Sequence, residues 1–322
     1  MRLNPTTAPT VLAAAVLLAA CGTVAATPAT DDGPRDGFPM TISSCGREVT
    51  FDEPPGRVVT VGSVAAPLVA AAGAADRIVV RTFETASFPG EYAPELDGVE
   101  VVAPTVELAR EEIISRIPDL VISYEGAATG ADELAGVGID LLVSRGYCQD
   151  AAGDLEDVFA DVELYGRLFG TAEAAAAEVA SLRQRVAAVG ERFPPAATAR
   201  RAAALILSRD GGGLSAYGAT STVDEQMRIL GLANVFSDVP RRNFEVNLET
   251  LVAQDPQVLI LLTQGDQTPE SARQALRQRP ELGAVTAIRT GAVIAVPFGY
   301  TGPGPVAVEG LEVLADELAA LG

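Results

Sequence analysis

The chain has 322 residues, enough for two domains of ordinary size, and 48% of them are hydrophobic. Its 43 acidic residues outnumber the 23 basic ones and give a formal net charge of −20, which argues against a nucleic-acid partner. Histidine is absent, which excludes a Ser–His–Asp triad, a Cys–His pair and a His-ligated zinc site. An esterase is disfavoured as well, because no G-x-S-x-G motif occurs.

The N-terminal segment contains an apolar run, Val11–Ala20, that is too short to span a bilayer. Such a run is typical of a secretory signal, so we predict a signal peptide over residues 1–20. The sequence Leu18-Ala19-Ala20-Cys21 resembles the lipobox of bacterial lipoproteins, in which the cysteine is acylated on its sulfur. This resemblance implies lipidation of Cys21 and an extracytoplasmic, membrane-anchored protein. The alternative is an ordinary signal peptide with an incidental cysteine.

The next segment, residues 21–40, is rich in Ala, Thr, Pro, Asp and Gly and is predicted to be a flexible tether. Beyond it the chain contains two cysteines, Cys45 and Cys148. An exported protein occupies an oxidising compartment, so we expect these two to form a disulfide. Two buried free thiols are the alternative, and metal ligation by two cysteines is less favoured than either.

Residues 41–169 show short apolar strands alternating with short helices, a pattern that predicts an α/β lobe with a parallel sheet. The strands are predicted at Arg47–Phe51, Arg57–Val61, Asp76–Val80, Asp119–Ser123 and Ile139–Val143. The helices are predicted at Ala65–Ala72 and Ala131–Val137. Continuous apolar strands of this kind are usually covered by helices on both faces.

A helical pattern then runs from Asp154 to Phe193, interrupted at Gly170. Its second part carries one apolar stripe, with Thr171 as the predicted N-cap and prolines forbidding continuation. We therefore predict a connecting helix over residues 170–195, about 34 Å long.

Residues 196–322 repeat the strand and helix alternation and predict a second α/β lobe. Strands are expected at Ala202–Ser208, Val258–Leu262 and Ala292–Val296, and helices at Ser221–Leu230, Ala272–Arg279 and Val308–Leu321. The Gly211-Gly212-Gly213 run is expected to be a turn and not a phosphate loop, because no G-K-[ST] or G-x-G-x-x-G pattern follows.

One stretch occurs in both predicted lobes, as Glu111–Ile122 and Glu249–Ile260. Each copy has a glutamate, an apolar pair, a proline seven residues on and then an apolar run, which predicts a short helix followed by a buried strand. Either glutamate alone is explained by its favourable position in the first turn of a helix. The matched pair indicates two similar lobes.

These features occur in the order found in a known family. They are Gly46–Phe51 with Pro54-Pro55 and Arg57–Val59, then Pro118–Ile122, the single long helix, and Gly231–Phe236. From about Ile42 to Leu321 the chain resembles the substrate-binding lipoproteins of ABC importers that serve ferric siderophores, cobalamin and haem, the class III periplasmic binding proteins. One departure is the Ser63–Pro67 region, where relatives often carry Thr-Glu, and it puts any polar ligand contact there in doubt.

The resemblance implies two Rossmann-like α/β lobes joined by a single long rigid helix, with the ligand in the cleft between them. It implies a monomer without catalytic activity that delivers its ligand to an ABC permease dimer with its ATPase. In the family one exposed glutamate on each lobe docks into arginines of the permease. The matching positions are Glu111 and Glu249, and Glu112 could share the role of Glu111.

Ligand contacts are expected from loops at the strand ends that face the cleft. The candidates are Arg81, Phe83, Phe88, Tyr92, Tyr124, Arg145 and Tyr147 in the first lobe, and Arg209, Tyr217, Arg241, Arg242, Phe244, Phe298 and Tyr300 in the second. Arginines suit anionic ferric siderophores, although any single one could instead form a surface ion pair.

Composition narrows the ligand class further. Without histidine a bare zinc or manganese ion is disfavoured, and haem would need a tyrosine ligand. An aromatic content of 5% disfavours cobalamin, whose pockets favour large aromatic side chains. We therefore expect a small-molecule iron chelate, a ferric siderophore, with no cofactor and no direct metal site. Haem, cobalamin, another anionic cofactor, or a non-transport scaffold or sensor of the same fold remain the alternatives.

Overall fold

The computed structural model describes residues 37–84, 90–103, 106–148, 151–194, 198–207 and 213–321. The strands are β1 (Met40–Ser44), β2 (Arg47–Phe51), β3 (Val58–Val61), β4 (Ile78–Thr82), β5 (Leu120–Ser123), β6 (Asp140–Val143), β7 (Arg200–Leu207), β8 (Leu214–Tyr217), β9 (Leu232–Asn234), β10 (Asn243–Glu245), β11 (Val258–Thr263) and β12 (Val293–Pro297). The helices are α1 (Ala65–Ala71), α2 (Ala93–Leu96), α3 (Arg110–Ser115), α4 (Ala131–Ala135), α5 (Leu155–Phe169), α6 (Ala172–Arg192), α7 (Thr222–Ile229), α8 (Leu248–Gln254), α9 (Pro269–Arg277), α10 (Thr286–Thr290) and α11 (Val306–Ala320).

The first sheet has the strand order β4-β3-β5-β6, and all its neighbours pair in parallel. Successive residues of β5 pack into separate apolar clusters: Leu120 and Ile122 into one, Val121 into another. Both faces of the sheet are therefore covered, as a continuous apolar strand requires. The parallel sheet predicted from the strand and helix alternation is confirmed.

A two-stranded antiparallel hairpin of β1 and β2 precedes this sheet. Its turn places Cys45 and Gly46 in the left-handed region, at φ 46° and 79°. Cys45 forms a disulfide with Cys148, which lies beyond β6. The disulfide expected from the cysteine count is thus present, and it ties the hairpin to a loop of the first sheet.

The second sheet has the order β10-β8-β7-β11-β12, with β9 also pairing with β7. Strands β7, β9, β11 and β12 run parallel, whereas β8 is antiparallel to both β7 and β10. The sequence analysis missed β8 and β10, because each is short and lacks the apolar run that identifies a buried parallel strand. The described chain is therefore a mixed α/β fold with largely parallel sheets and packed helices.

Helices α5 and α6 lie in sequence between the strands of the two sheets and pack against each other. They are separated at Gly170, whose φ of 75° is the left-handed conformation that commonly ends a helix. The predicted apolar stripe of α6 is buried through Ala175, Val179, Leu182 and Val189. Thr171 is the N-cap residue of α6, as predicted, but the side-chain hydrogen bond expected of such a cap is not formed.

Thr171 does occupy the N-cap position of α6, but its side chain makes no capping hydrogen bond. Its hydroxyl instead donates to the carbonyl of Ala72 at 2.6 Å. That carbonyl belongs to the end of α1, where carbonyl groups lack helical partners. A tertiary contact thus replaces the local one.

The repeated sequence forms the same local unit twice, with α3 leading into β5 and α8 into β11. After each helix, a residue with positive φ stands directly before the proline: Ile117 at 50° and Asp255 at 37°. Prolines disfavour the right-handed helical region at the preceding residue, so the helix must end there. The predicted helix and strand of both copies are confirmed.

The two units also share side-chain contacts. The guanidinium of Arg57 donates to the carbonyl of Arg116 at 2.7 Å, and that of Arg201 donates to the carbonyl of Gln254. The backbone N–H of Arg57 donates to Asp119 at 2.9 Å, and that of Arg201 donates to Gln257 at 3.0 Å. Each helix end is thus fastened to the start of the neighbouring strand by the same pair of positions.

Candidate functional site

The loops that follow the first sheet's strands bring three aromatic candidates together. Phe83 follows β4, Tyr124 follows β5 and Tyr147 lies shortly after β6. The rings of Phe83 and Tyr124 are 5.9 Å apart, and those of Tyr124 and Tyr147 are 6.0 Å apart. The carboxyl ends of parallel strands meet at one edge of a sheet, which explains why residues distant in sequence form one aromatic row.

Opposite this row lie residues from the second sheet. Tyr217 ends β8, and Arg241 and Arg242 precede β10. The backbone N–H of Gly218 donates to the carbonyl of Arg242 at 3.2 Å, so the two segments run side by side. A Cβ on Gly218 would come within 2.4 Å of the carbonyl oxygen of Val239, so only glycine permits this close approach.

A cavity of about 370 Å³ lies between these two sets of residues. It is lined by Glu125, Gly126, Gly146, Tyr147, Cys148, Ala151, Thr220, Pro240, Arg241 and Arg242. Within it the guanidinium carbon of Arg242 lies 4.6 Å from the centre of the Tyr147 ring, a cation–π contact between the two sides. The volume falls within the range of small-molecule sites.

The cavity is lined by two arginines, one glutamate and one phenol, that of Tyr147, and Tyr217 is buried nearby. Burial raises the pKa of Tyr147, and the nearby Arg242 opposes part of that shift. Burial also raises the pKa of Tyr217, again opposed by Arg242. Both phenols therefore stay protonated at neutral pH, where they can donate hydrogen bonds. Tyr147 lines the cavity with Arg241, Arg242 and Glu125, whereas the buried Tyr217 does not. The two guanidinium groups and the phenol of Tyr147 are suited to anionic oxygen ligands.

The hydroxyl of Tyr124 is already engaged by a carboxylate. Its phenol donates to the carboxylate of Glu107, which also accepts a hydrogen bond from the backbone N–H of Ala128. Burial and this carboxylate raise the pKa of Tyr124. The hydroxyl therefore already has a partner, and the ring packs between Phe83 and Tyr147 without lining the cavity.

Phe298 and Tyr300 lie in the turn after β12 and are partly buried. The carbonyl of Tyr300 accepts a hydrogen bond from the Gln226 side chain at 2.8 Å, and the hydroxyl of Tyr300 donates to Glu309 at 3.2 Å. Burial and Glu309 raise the pKa of Tyr300 to about 12. These contacts fix the turn, and neither aromatic residue lines the cavity.

Two arginine candidates are engaged in ion pairs. Arg81 lies 3.6 Å from the carboxylate of Glu84, within the first sheet's edge. Arg145 donates its backbone N–H to Asp161 at 2.7 Å, and its guanidinium lies 3.6 Å from the same carboxylate. Arg145 lines a neighbouring cavity of about 490 Å³ together with Asp157. Both arginines therefore have structural partners outside the cavity that holds Arg242.

Two aromatic candidates are packed elsewhere. Tyr92 is buried and donates to Glu178 on α6 at 2.5 Å. Phe244 packs edge-on against Phe236 at 5.4 Å in the second sheet's apolar cluster. Arg209 and Phe88 lie outside the described residues.

Several residues of the cavity were not singled out from the sequence: Glu125, Gly126, Gly146, Ala151, Thr220 and Pro240. Gly146 lies so close to Pro303 that a Cβ on it would meet that ring's Cβ at 2.3 Å. Small residues in loops carry no pattern that marks them as site residues. The only sequence feature that could have identified these cavity residues is that they lie near Tyr124, Tyr147 and Arg241 in the chain.

The Cys45–Cys148 disulfide borders the cavity, because Cys148 directly follows Tyr147 and contributes to the lining. Among the described residues no group of three or more His, Cys, Asp or Glu side chains is arranged to hold a metal ion. Cys21 lies outside the described residues. In the part of the chain that the structure describes, no helix is long and apolar enough to cross a membrane.

The two glutamates of the repeated unit occupy equivalent positions. Glu111 is the second residue of α3 and Glu249 is the second residue of α8, and both side chains are exposed. Glu112 is exposed beside Glu111, whose carboxylate lies 3.8 Å from Arg110. The two acids therefore occupy the same position in two helices, one leading into the first sheet and one into the second.

Comparisons with known proteins agree with this architecture. The family model described as periplasmic binding protein matches residues 58–300. A solved structure described as an ABC-type Fe3+-hydroxamate transport system from Saccharomonospora viridis is 36% identical, with a TM-score of 0.77, and the match covers 87% of this chain and 99% of that chain. A protein described as cobalamin-binding from Halobacterium salinarum is 28% identical over 314 residues, 94% of this chain and 81% of its own length.

A likeness of fold extends further, to the periplasmic vitamin B12-binding protein of Vibrio cholerae. It is 19% identical with a TM-score of 0.64, and the match covers 83% of this chain and 98% of that chain. From the family match over most of the described fold, the chain belongs to the periplasmic binding protein family.

Proposed function

We propose that this protein is an extracytoplasmic solute-binding lipoprotein that captures a ferric siderophore and delivers it to an ABC importer permease. The observation that carries the proposal is the cavity where Arg241 and Arg242 face Tyr147. Two arginines against one glutamate, Glu125, give this cavity an excess of positive charge, a local exception in a chain with a net charge of −20. Guanidinium groups match the carboxylate or catecholate oxygens of anionic iron chelates.

The relative from Saccharomonospora viridis supports an iron chelate as the ligand, because its description names Fe3+-hydroxamate transport and its identity is 36%. The neutral phenol of Tyr147 suits such a ligand, since it can donate a hydrogen bond to one of its oxygen atoms. Arg241 is exposed and Arg242 is partly buried. The first is accessible to an arriving ligand, and the second is positioned to hold it.

We propose that the fold has two lobes, residues 41–169 and 196–322, joined by a connecting helix over residues 170–195. All strands of the first sheet precede α5, and all strands of the second follow α6, which supports this division. The joint at Gly170 means that α5 packs with the first part and α6 alone forms the connection. Close contacts such as Gly146 against Pro303 favour small lobe movements.

Docking to the permease dimer is assigned to Glu111 and Glu249. This assignment is supported by the equivalence of the two helix–strand units that carry the glutamates. Two acids at equivalent positions can engage a partner with two-fold symmetry. Both are exposed, so neither has a role in the core. Exposed charge pairs of this kind give orientation and association rate more than raw affinity.

Membrane attachment is assigned to a lipid on Cys21, followed by the tether of residues 21–40. Each buried methylene of an acyl chain contributes about 0.8 kcal/mol to membrane binding. Such an anchor keeps a monomeric binding protein close to its permease. Replacement of Cys21 by serine followed by membrane fractionation tests this assignment.

A second candidate is cobalamin in the same transport role. The specific observation that favours it is the 28% identity to a cobalamin-binding protein over nearly the whole chain. The cavity has Tyr147 as its one aromatic lining side chain, which favours an oxygen-rich chelate over a large corrin ring. The ligand screen described next distinguishes cobalamin from a ferric siderophore.

The first test is a thermal-shift titration of the full-length protein in detergent micelles. The probes are ferric catecholate, hydroxamate and carboxylate siderophores, haem and cobalamin. A ligand present at 100 times its dissociation constant stabilises the folded protein by about 2.7 kcal/mol, which a melting curve resolves readily. We expect a shift with one class of ferric siderophore; a shift with cobalamin or haem alone would reject the siderophore assignment.

The second test replaces Glu111 and Glu249 by alanine together. We expect uptake of the ligand by cells to fall while the dissociation constant of the purified protein stays unchanged, because both acids lie outside the cavity. Glu48→Ala with Glu281→Ala is the matched control, since it removes the same charge from two other exposed positions. Loss of ligand affinity in the first pair, or equal loss of uptake in the control pair, contradicts the docking role.

A further inference from the structure

The aromatic row of Phe83, Tyr124 and Tyr147 is held at its centre by Glu107, an acid outside the set of candidates predicted from the sequence. Glu107 lies shortly before α3. Both oxygens of its carboxylate are engaged: one accepts a hydrogen bond from the phenol of Tyr124, and the other accepts one from the backbone N–H of Ala128. Glu107 does not line the cavity of about 370 Å³. A ligand held there is therefore reached through these two partners and not by the carboxylate itself.

The backbone that carries Glu107 is anchored in the core. Its neighbour Leu108 is 4% exposed and packs in the same apolar cluster as Val61 of β3 and Val121 of β5. The side chain of Glu107 is itself partly buried. A carboxylate anchored in this way presents its two acceptor atoms at fixed points, and a charged acceptor makes stronger hydrogen bonds than a neutral one.

The ring of Tyr124 is confined on several sides. It stacks on Phe83 with an interplanar angle of 27°, and Tyr147 lies against it at an angle of 57°. A Cβ on Gly62 would lie 3.3 Å from Cδ1 of Tyr124, so the absence of a side chain at Gly62 leaves the ring the room that it occupies. The hydrogen bond to Glu107 adds a further restraint at the hydroxyl end of the ring.

Tyr147 connects the aromatic row to the cavity. It lines the cavity, and the guanidinium carbon of Arg242 lies 4.6 Å from the centre of its ring. Tyr124 and Arg242 therefore both contact the ring of Tyr147. Closely packed side chains transmit small displacements, so a shift of Tyr124 alters the support of the ring on which the guanidinium rests.

The second hydrogen bond to the carboxylate leads to the cavity as well. Ala128 directly follows the segment that contributes Glu125 and Gly126 to the lining. Within this segment the carbonyl of Tyr124 accepts a hydrogen bond from the N–H of Ala127 at 3.3 Å, which closes a turn. By holding Tyr124 and Ala128, one carboxylate fixes the two ends of the segment between them.

We propose that Glu107 is a positioning residue of the ligand site, which acts through Tyr124 to hold Tyr147 in the orientation that binds ligand. This inference rests on the proposed function. A side chain that is ordered in advance loses less freedom when a ligand arrives. A purely structural role of Glu107 would change stability alone, whereas positioning also changes the mobility of the Tyr147 ring and the affinity for ligand.

The first measurement needs no ligand. The chain has six tyrosines, so the full-length protein in detergent micelles, labelled with ¹³C on the tyrosine rings, gives few NMR signals to assign. We expect Glu107→Gln, which removes the charge, and Tyr124→Phe, which removes only the hydroxyl, to speed flipping of the Tyr147 ring severalfold. Glu133→Gln is the matched control, because Glu133 also accepts a backbone N–H, that of Gly130 at 3.0 Å, but has no contact with the aromatic row.

The second measurement is the dissociation constant of a ferric hydroxamate, with the ferric catecholate and carboxylate siderophores as further probes. The chain has no tryptophan, so binding is followed by quenching of tyrosine emission. Glu107→Gln and Tyr124→Phe should each raise the dissociation constant about two- to tenfold, the effect of one side chain that the ligand must now order. The double variant should bind no more weakly than the weaker single variant, because both changes break the same hydrogen bond.

The outcomes separate the inference from the proposed function. If the Tyr147 ring flips at the wild-type rate in both variants, the inference is wrong whether or not a ligand binds. Unchanged affinity of the folded variants, or additive losses in the double variant, overturns it and leaves the proposed function standing. An equal effect of Glu133→Gln assigns the losses to charge alone and also rejects it. Failure of the wild type to bind any of the ferric siderophores rejects the proposed function and the inference together.

Discussion

Removal of the Cys45–Cys148 disulfide is expected to destabilise the protein strongly. The bond joins residues 103 positions apart, so its loss frees a long loop in the unfolded chain. The chain-entropy relation gives about 4–5 kcal/mol for a loop of this length, as an upper figure. For a domain of this size that corresponds to a fall in melting temperature of about 10 °C.

The assay is urea unfolding of the Cys45→Ser, Cys148→Ser double variant, with dithiothreitol treatment of the wild type as an independent route to the same state. The double variant avoids the lone thiol that either single change would leave. Cys21→Ser is the matched control and should leave the midpoint unchanged. If dithiothreitol leaves the urea midpoint of the wild type unchanged, and the double variant unfolds at the same urea concentration as the wild type, the reasoning from loop closure is wrong.

Two further predictions concern charged groups near the cavity. Burial raises the pKa of Asp161 to about 7, so the folded state binds this proton more tightly than the unfolded state, where the carboxyl pKa is about 4. Its contribution to the free energy of unfolding therefore falls as pH rises from about 4 to about 7, by about 4 kcal/mol at most. Asp161→Asn should unfold at higher urea than the wild type at pH 8 and similarly at pH 4; a constant difference at both pH values contradicts this. Arg242→Ala should weaken binding of an anionic ferric siderophore about 10- to 100-fold in a fluorescence titration, the range for a hydrogen bond to a charged group. Arg47→Ala, which breaks an exposed ion pair with Asp132, is its control, and an equal effect of both changes would remove Arg242 from the site.

Sequence patterns predicted the local helix and strand units better than the tertiary contacts that these units make. The helix end before proline at Ile117 and Asp255 follows from steric rules that act between neighbours, so both repeated units were found. Strand β8 was missed because it lacks the apolar run that identifies a buried strand in the sequence. Its antiparallel pairing with β7 is a tertiary contact that the sequence pattern does not show. Thr171 has the residue type of a cap, but a carbonyl of α1 competes for its hydroxyl.

The candidate site shows the same limit. Tyr147 could be placed near a cleft because it follows a parallel strand, and the structure brings it to Arg242. Arg145, two residues earlier, satisfied the same criterion, yet its guanidinium pairs with Asp161 on α5. A linear pattern identifies which loop faces an edge of the sheet. It does not tell which side chain of that loop points into the cavity.

The loop that presents Tyr147 is fixed on three sides, and this bears on how the cavity works. The N–H of Arg145 is held by Asp161, Gly146 packs against Pro303 of the second sheet's side, and Cys148 is bonded to the β1–β2 hairpin. A ring held in this way loses little freedom when a ligand arrives, so less of the binding free energy is spent on ordering the site. The disulfide therefore acts on affinity as well as on stability: its loss should weaken ligand binding through Tyr147 even under conditions where the variant remains fully folded.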